Sequence, residues 1–417
     1  MKQTIEKHTE NAVLVGVITG KIGNEYTSEA TMIELAELAK TAGANVVGSM
    51  VQHRPAIETA TYIGEGKLRE LADFCINNEI DVVIFDDELT GSQQRNIENA
   101  IKTRVIDRST LILDIFASRA SSSEGKLQVE LAQLKYRLPR LGGQGAVLSR
   151  LGGGIGTRGP GETQLETDKR HIRRRIETLE NELKEVEKRR SLARTRRVKD
   201  GFQSAVLVGY TNAGKSTIMN LLTDAGVLSE NMLFATLDPT ARALELNDGK
   251  TVMLLDTVGF IRKLPHHLIK AFRSTLEEAV YADLLIIVND ISSPEYKIQL
   301  EVSRKLLNEL GCENKPVLLV YNKCDVENVW QKSTNDQVFI SAKENKGIYD
   351  LMNAITAKMS LSTRKMKLLI PYNDASLTSK LRDEGKVLTE EYMTEGIEIT
   401  VIIDKMYEYK YGKYEIK

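Results

Sequence analysis

The chain has 417 residues, with 57 basic against 58 acidic side chains, a formal net charge of −1, 41% apolar residues and 28% charged residues. That length suggests about two to four domains, and the composition excludes wholesale disorder. No apolar run approaches the ~18 residues of a membrane span, the polar N-terminus lacks a signal core, and Cys75, Cys312 and Cys324 are too dispersed for a disulfide scaffold or a Cys-rich zinc site.

A soluble cytoplasmic protein is therefore expected, and the neutral balance taken alone disfavours a nucleic-acid partner. Residues 1–120 alternate short apolar runs with helix-period stretches. Val13–Val17 reads as a strand, Glu29–Thr41 as a helix stopped by Gly43, and Asn45–Val51 as a strand. Lys67–Asn77 reads as a helix, Asp81–Phe85 as a strand and Gly91–Lys102 as a helix. Strands between amphipathic helices predict a small α/β domain with a mainly parallel sheet. Gly64-Glu-Gly66-Lys67 precedes a helix, but no complete phosphate-loop or dinucleotide fingerprint surrounds it. A tight turn is the simpler reading.

The pattern then changes. Leu127, Leu131, Leu134 and Leu138 repeat at four- and three-residue steps, as do Ile172, Ile176, Leu179, Leu183 and Val186. Each is a narrow apolar seam on a helix. Residues 121–200 are predicted to form a long antiparallel helical hairpin around a Gly-rich loop (142–163). Its second arm, helical from Asp168 to Lys199, would be about 45 Å long.

Strand–loop–helix units fill 201–361. In 362–417, Met366–Ile370 reads as a strand, Ser376–Glu384 as a helix ended by Gly385, and Ile397–Asp404 as a strand, with Tyr407–Tyr411 alternating like an edge strand. The fold class is α/β multidomain: an N-terminal α/β domain (1–120), the hairpin (121–200), a phosphate-loop domain with a mainly parallel sheet (201–361) and a small C-terminal α+β domain (362–417).

Ala205–Val208 is a β-branched-rich strand. It runs into Gly209, Tyr210, Thr211, Asn212, Ala213, Gly214, Lys215, Ser216 and Thr217, then into an apolar helix. This is the G-x-x-x-x-G-K-[ST] phosphate loop in its strand–loop–helix setting. The glycines let backbone N–H groups converge on phosphate oxygens, and the helix N-terminus adds a positive field. Lys215 is expected to neutralise the β- and γ-phosphates and Ser216 to coordinate Mg²⁺.

Three further elements follow in order. Thr251–Leu255 leads to Asp256, Thr257, Val258 and Gly259, where Asp256 can hold Mg²⁺ through water and the Gly259 N–H can reach the γ-phosphate. Val317–Tyr321 leads to Asn322, Lys323 and Asp325. A carboxylate there accepts from guanine N1–H and the 2-amino group, whereas adenine would leave it unpaired at a cost of about 1–3 kcal/mol or more. Asn322 would fix the loop and the Lys323 stem would cover the ring. Val338–Ile340 leads to Ser341, Ala342 and Lys343, whose backbone can touch guanine O6. Together these predict a guanine-nucleotide site.

A switch I threonine must bond Mg²⁺ and sense the γ-phosphate. Phe234–Thr240 offers Thr236 and Thr240, of which Thr236 is preferred, as metal ligand and catalytic residue beside Lys215 and Gly259. Phe260 stands where Ras-like enzymes place the glutamine that orients the attacking water. Hydrolysis should therefore be slow until a partner or another part of the chain supplies a positioning group. His266 and His267 are candidates, against the commoner reading of surface histidines.

The run from Gly152 through Arg158, Gly159, Pro160, Gly161 and Glu162 to Asp168 resembles the signature of the HflX GTPases. Tyr210–Gly214, Phe234–Pro239 and Asp256–Phe260 are similar to that family's nucleotide motifs. The resemblance spans the whole chain. It implies a bacterial cytoplasmic GTPase, ribosome-stimulated and Mg²⁺-dependent, that takes GTP to GDP and binds the large ribosomal subunit. It further implies splitting of stalled ribosomes, notably under heat or other stress, with the hairpin and Gly-rich loop directed at rRNA near the peptidyl-transferase region. The expected location is the cytoplasm, with peripheral membrane association for part of the population, and a monomer is the simplest state.

The residues bear on RNA independently. Leu131–Gly161 contains no acid but holds Lys135, Arg137, Arg140, Arg150 and Arg158. Lys188–Lys199 is also acid-free, with Lys188, Arg189, Arg190, Arg194, Arg196, Arg197 and Lys199. Segregated basic charge is the footprint of phosphate-backbone binding, set against a merely solvated helix face. Tyr136 is the lone aromatic of the first window, so shape and phosphate recognition is expected over base reading. Arg137, Arg140, Arg150, Arg158, Arg189 and Arg190 are the candidate RNA contacts. Gly142-Gly143-Gln144 matches the release-factor tripeptide, but three residues in a glycine-rich loop carry little. The alternative function is a GTP-dependent RNA-remodelling or RNA-modification factor acting on rRNA or tRNA. No methyl-donor pocket, catalytic cysteine or helicase motif is found to favour it.

Overall fold

The computed structural model describes residues 9–20, 28–141, 160–199, 203–223, 233–234, 240–263, 273–326, 328–360, 363–404 and 407–416. The chain divides into two compact units, the first centred on the N-terminal domain and the second on the phosphate-loop and C-terminal domains.

In the first unit, β1 (Asn11–Ile18), β2 (Asn45–His53), β3 (Val82–Phe85) and β4 (Arg104–Asp107) form a parallel sheet in the order β2-β1-β3-β4. Helices α1 (Glu29–Thr41), α2 (Glu65–Asn77), α3 (Gly91–Ile101) and α4 (Arg108–Arg119) connect and extend it. Helix starts are set by polar caps: Ser28 accepts from Thr31 N, Thr90 from Gln93 N, and Asp107 from Thr110 N. The core is Val13, Val15, Val83, Phe85, Leu71 and Ile97 with their neighbours. The parallel α/β domain is as expected, with β4 and α4 added to it. Gly64 is extended backbone at the N-cap of α2 rather than the tight turn expected: its N–H donates to Gln52 Oε1 at 3.0 Å, and a Cβ there would meet Arg54 Nη1 at 2.4 Å.

Helix α5 (Ser123–Arg140) packs on α4. Its buried side is Val129, Leu131, Ala132 and Tyr136, while Leu134 and Leu138 are half-buried. Helix α6 (Pro160–Lys199) has 40 residues, about 60 Å, so it starts eight residues before Asp168. Leu179 is its fully buried seam residue. Two ion pairs cross-link these helices: Arg175 Nε to Glu130 Oε1 at 2.7 Å and Lys135 Nζ to Glu180 Oε1 at 2.7 Å. The apolar side of α5 is committed to the α/β domain. The Gly-rich loop lies outside the described residues between 142 and 159.

In the second unit, β5 (Ser204–Gly209), β6 (Thr240–Glu245), β7 (Thr251–Asp256), β8 (Leu284–Asp290), β9 (Val317–Asn322) and β10 (Gln337–Phe339) form a sheet in the order β10-β9-β8-β5-β7-β6. Only β6 is antiparallel within it. Helices α7 (Lys215–Thr223), α8 (Arg273–Tyr281), α9 (Tyr296–Glu309) and α10 (Ile348–Ser360) accompany it. Strands β5, β8 and β9 are buried almost end to end, as in a parallel sheet covered on both faces.

The C-terminal part pairs β11 (Thr363–Ile370), β12 (Gly385–Met393) and β13 (Gly396–Asp404) antiparallel, in the order β11-β13-β12, under α11 (Ser376–Glu384). The tail departs from the edge strand expected over Tyr407–Tyr411. Glu408–Tyr411 is a helical turn, α12, because Tyr411 turns into the core and is fully buried. Its hydroxyl bonds Glu384, which also pairs with Lys410.

Candidate functional site

The nucleotide elements gather at the C-terminal ends of β5, β7, β9 and β10, where open α/β sheets place ligands. Gly209 closes β5 at φ +139°, and a Cβ there would strike the Val288 carbonyl at 2.1 Å. Only glycine lets the loop leave the sheet so close to β8. Asn212 is exposed at φ +60°, while Tyr210 and Ala213 are buried beneath the loop.

Lys215 curls back under this loop. Its ammonium donates to the carbonyls of Gly209 at 3.1 Å and Tyr210 at 2.9 Å. Burial pushes its pKa down to about 8, against the opposing pull of Asp256. Ser216 Oγ donates to Asp256 Oδ2 at 2.7 Å, joining a hydroxyl and a fully buried carboxylate at the mouth of the loop. Thr217 is half-buried on the first turn of α7. Thr257 serves the sheet: its hydroxyl donates to Leu207 O at 2.7 Å, and Val258 is buried beside it. Gly259 touches the loop so closely that a Cβ would lie 2.7 Å from Thr211 Cα.

The guanine end is equally specific. Asn322 Nδ2 donates to Ala213 O at 2.9 Å, and its Oδ1 accepts from Ala342 N at 3.0 Å. One amide thus ties the phosphate loop to the Ser341–Lys343 loop. Ser341 is fully buried and its hydroxyl accepts from Glu344 N at 3.1 Å, while Lys343 is exposed. Asp325 Oδ1 is buried with no hydrogen-bond partner among the described residues. A buried acceptor left so is costly unless a ligand donates to it, and the guanine N1–H and 2-amino group are suitable donors.

One contact was not anticipated. Lys323 Nζ pairs with Asp290 Oδ2 at 2.7 Å, and Asp290 Oδ1 accepts from Ser292 N and Oγ. Asp290 therefore anchors the ammonium whose stem should cover the base. Its signal was present in the sequence, as a carboxylate closing the apolar strand Leu284–Val288.

Of the switch residues, Thr236, His266 and His267 lie outside the described residues. Thr240 opens β6 opposite Asp256. Phe260 is buried at 2% exposure. The segment after it is held within the first unit: Lys263 Nζ meets Asp86 Oδ2 and Asp87 Oδ1, each at 2.5 Å, and Arg108 donates to the Arg262 carbonyl.

The candidate RNA residues separate into two groups. Arg140 is committed to protein: it donates to Glu88 Oε1 and Leu89 O at 2.8 Å and stacks on Tyr136, 3.4 Å from the ring centre. Arg190 is half-buried. Arg137 and Arg189 are exposed, with no ion-pair partner among the described residues. Arg150 and Arg158 lie outside those residues. A further basic cluster is bracketed closely by Asp168 and Glu177, so no long acid-free window contains it. Arg170, Arg173 and Arg174 are exposed, Arg170 and Arg174 on the side of α6 opposite Ile172, Ile176 and Leu179 and Arg173 on its flank. Helical period rather than window composition reveals it.

A phosphate loop, a switch glycine against it and an Asn–Asp guanine motif, each at a strand end of one sheet, define a P-loop GTPase. Family models agree along the chain: GTP-binding GTPase N-terminal over 29–117, GTP-binding GTPase Middle Region over 119–197, and 50S ribosome-binding GTPase over 204–323. The GTPase HflX of Caldanaerobacter subterraneus subsp. tengcongensis is 50% identical over 397 residues, covering 95% of this chain and 92% of that one. The GTPase HflX of Escherichia coli is 40% identical over 396 residues, covering 93% and 91%. A solved GTP-binding protein from Sulfolobus solfataricus in complex with GDP is 27% identical and covers 85% of this chain and 99% of that one, at a TM-score of 0.46. On the sequence relatives, the chain belongs to the HflX family of GTPases. It is a GTP-binding, GTP-hydrolysing enzyme.

Proposed function

We propose that this GTPase is a nucleotide-driven switch that binds the large ribosomal subunit in the cytoplasm and splits or rescues stalled ribosomes, notably under stress. The observation that carries the reading is the exposed arginine face of α6, with Arg170, Arg173 and Arg174 on one side of a helix of 40 residues. Cations on a long helix, without interleaved aromatics, suit the phosphate backbone of folded RNA. Arg137 and Arg189, together with Arg150 and Arg158 toward the loop, would extend the contact to rRNA near the peptidyl-transferase region. The match to a family described as 50S ribosome-binding supports the choice of RNA.

At the nucleotide, Lys215 regains its full charge against phosphate, Asn322 holds the loops in register and Asp325 selects guanine. The hydroxyl and carboxylate of Ser216 and Asp256, 2.7 Å apart, form a hard-oxygen donor set that fits Mg²⁺, with Thr236 as the switch I ligand. When bound, the ion neutralises charge on the phosphates. The γ-phosphate sensed at Gly259 shifts the switches toward the docking state, and hydrolysis releases it.

Cosedimentation of the full chain with isolated large subunits tests the reading. Binding should be strong with a non-hydrolysable GTP analogue and weak with GDP. Equal binding in both states would sink the switch, and turnover stimulated by naked RNA alone would favour the RNA-remodelling alternative.

A further inference from the structure

Besides Asp325, the described residues of the nucleotide site include a hydroxyl that neither the loop nor the fold uses. Thr211, third in the phosphate loop, is 6% exposed, and its Oγ1 is buried with no hydrogen-bond partner among the described residues. Buried hydroxyls are ordinarily paired, so an orphan in a ligand site points to the ligand. The residue's place is fixed by its neighbours: a Cβ added at Gly259 would lie 2.7 Å from both Thr211 Cα and Cγ2, and 3.0 Å from Lys215 Nζ. The backbone and methyl of Thr211 therefore lie against the γ-phosphate-sensing glycine and beside the phosphate-binding ammonium, with the hydroxyl carried on the same Cβ as that methyl.

We propose that the Thr211 hydroxyl is a catalytic group of GTP hydrolysis, taking the water-positioning role that Phe260 cannot perform. The proposal rests on the phosphate-loop assignment and is independent of the ribosome reading. A threonine hydroxyl donates one hydrogen bond and accepts others. It can accept from the attacking water while donating to a γ-phosphate oxygen, which aims the water lone pair at phosphorus. The water oxygen then bonds to the γ-phosphorus as the bond from phosphorus to the β–γ bridging oxygen breaks. GDP leaves with that electron pair, the water proton ends on inorganic phosphate, and the threonine is unchanged. Phe260 is no competitor for this role: it carries no polar group and is buried. The threonine would give a chain lacking the glutamine a turnover of its own. The catalytic hydroxyl is carried on the rigid loop rather than on the switch, so it is in place before any partner binds.

Single-turnover hydrolysis by the full chain, with GTP and GDP affinities from fluorescent-nucleotide titration, tests this in Thr211→Val, Thr211→Ala and Thr211→Ser. Loss of a hydrogen bond to a charged or reacting group should slow the two hydroxyl-free variants about ten- to a hundredfold. GDP affinity should stay within about twofold, and Thr211→Ser should keep most of the rate. An unchanged rate in Thr211→Val overturns the proposal. So does a loss of GTP affinity with unchanged rate at saturation, which would make the hydroxyl a ground-state phosphate ligand only. A fall in GDP affinity in both hydroxyl-free variants would make it a structural loop residue and overturn the proposal as well.

Discussion

The nucleotide site and the arginine face of α6 use charge in opposite ways. In the site, Lys215 and Asp256 are buried and aimed, Lys215 at two loop carbonyls and Asp256 at Ser216, while half-buried Asp325 keeps one oxygen without a hydrogen-bond partner among the described residues. On α6, Arg170, Arg173 and Arg174 are exposed, while Arg175 one step on is spent on Glu130. A pre-aimed group discriminates one small ligand from its near relatives. An unaimed row of cations follows a backbone and tolerates sequence. The first should respond steeply to single substitutions and to protonation, and the second to salt and to combined substitutions.

Asp325→Asn should break the first half of that contrast most sharply. The amide can present a donor where guanine also presents one, so GTP affinity should fall at least about a hundredfold while xanthosine triphosphate gains. Competition titration measures the ratio. Undiminished preference for guanine would mean that the base is read elsewhere.

Protonation should come next. Free Lys215 titrates near 8, below the ordinary lysine value of 10.5, because burial disfavours its charge. Bound phosphate favours the charged form and raises that value. Nucleotide affinity should therefore be flat below pH 8 and fall by up to about tenfold per unit above it. Stability of the free protein runs the other way. Between 8 and 10.5 the unfolded chain binds more protons at this lysine, so the destabilisation it causes is full below pH 8 and relieved as pH rises. A GDP titration across pH 7 to about 9.5, paired with denaturant unfolding at the same values, checks both signs.

The same contrast explains what could be read from sequence. The gathering of the phosphate loop and the Asn322–Asp325 segment at one edge of the sheet was legible because their residue types stand at fixed spacings after apolar strands, with Gly209 and Gly214 required by backbone geometry. The Asp290–Lys323 pair was harder, since its partners are 33 positions apart and meet only through the β8–β9 register. The parallel sheets followed from apolar strands alternating with helices. The partner of each heptad seam did not, because a seam says that a helix buries one side without saying against what: the apolar side of α5 packs on α4. The tail misled for a related reason. Alternating tyrosines fit a strand, but Tyr411 packs better as one turn of helix over the C-terminal core. Charge windows likewise could not separate Arg140, bound to Glu88, from Arg137, exposed three residues earlier.

The smallest expected effect separates neighbouring arginines. Replacing Arg170, Arg173 and Arg174 together by Gln should weaken binding to large-subunit RNA several-fold at physiological salt. It should also flatten the dependence of log affinity on log salt by about 2, three cations at roughly 0.7 to 0.9 each. GTP affinity should be unchanged. Arg175→Gln removes a cation from the same run, but one already neutralised by Glu130 at 2.7 Å and about half-exposed. It should leave the salt slope alone and barely move the melting temperature, as exposed pairs do. Salt titrations of RNA binding, run beside thermal unfolding, distinguish the two. Equal slopes for the triple variant and the parent would show that the outer face of α6 is only a solvated surface, and the contrast with the nucleotide site would then be one between a ligand site and no site at all.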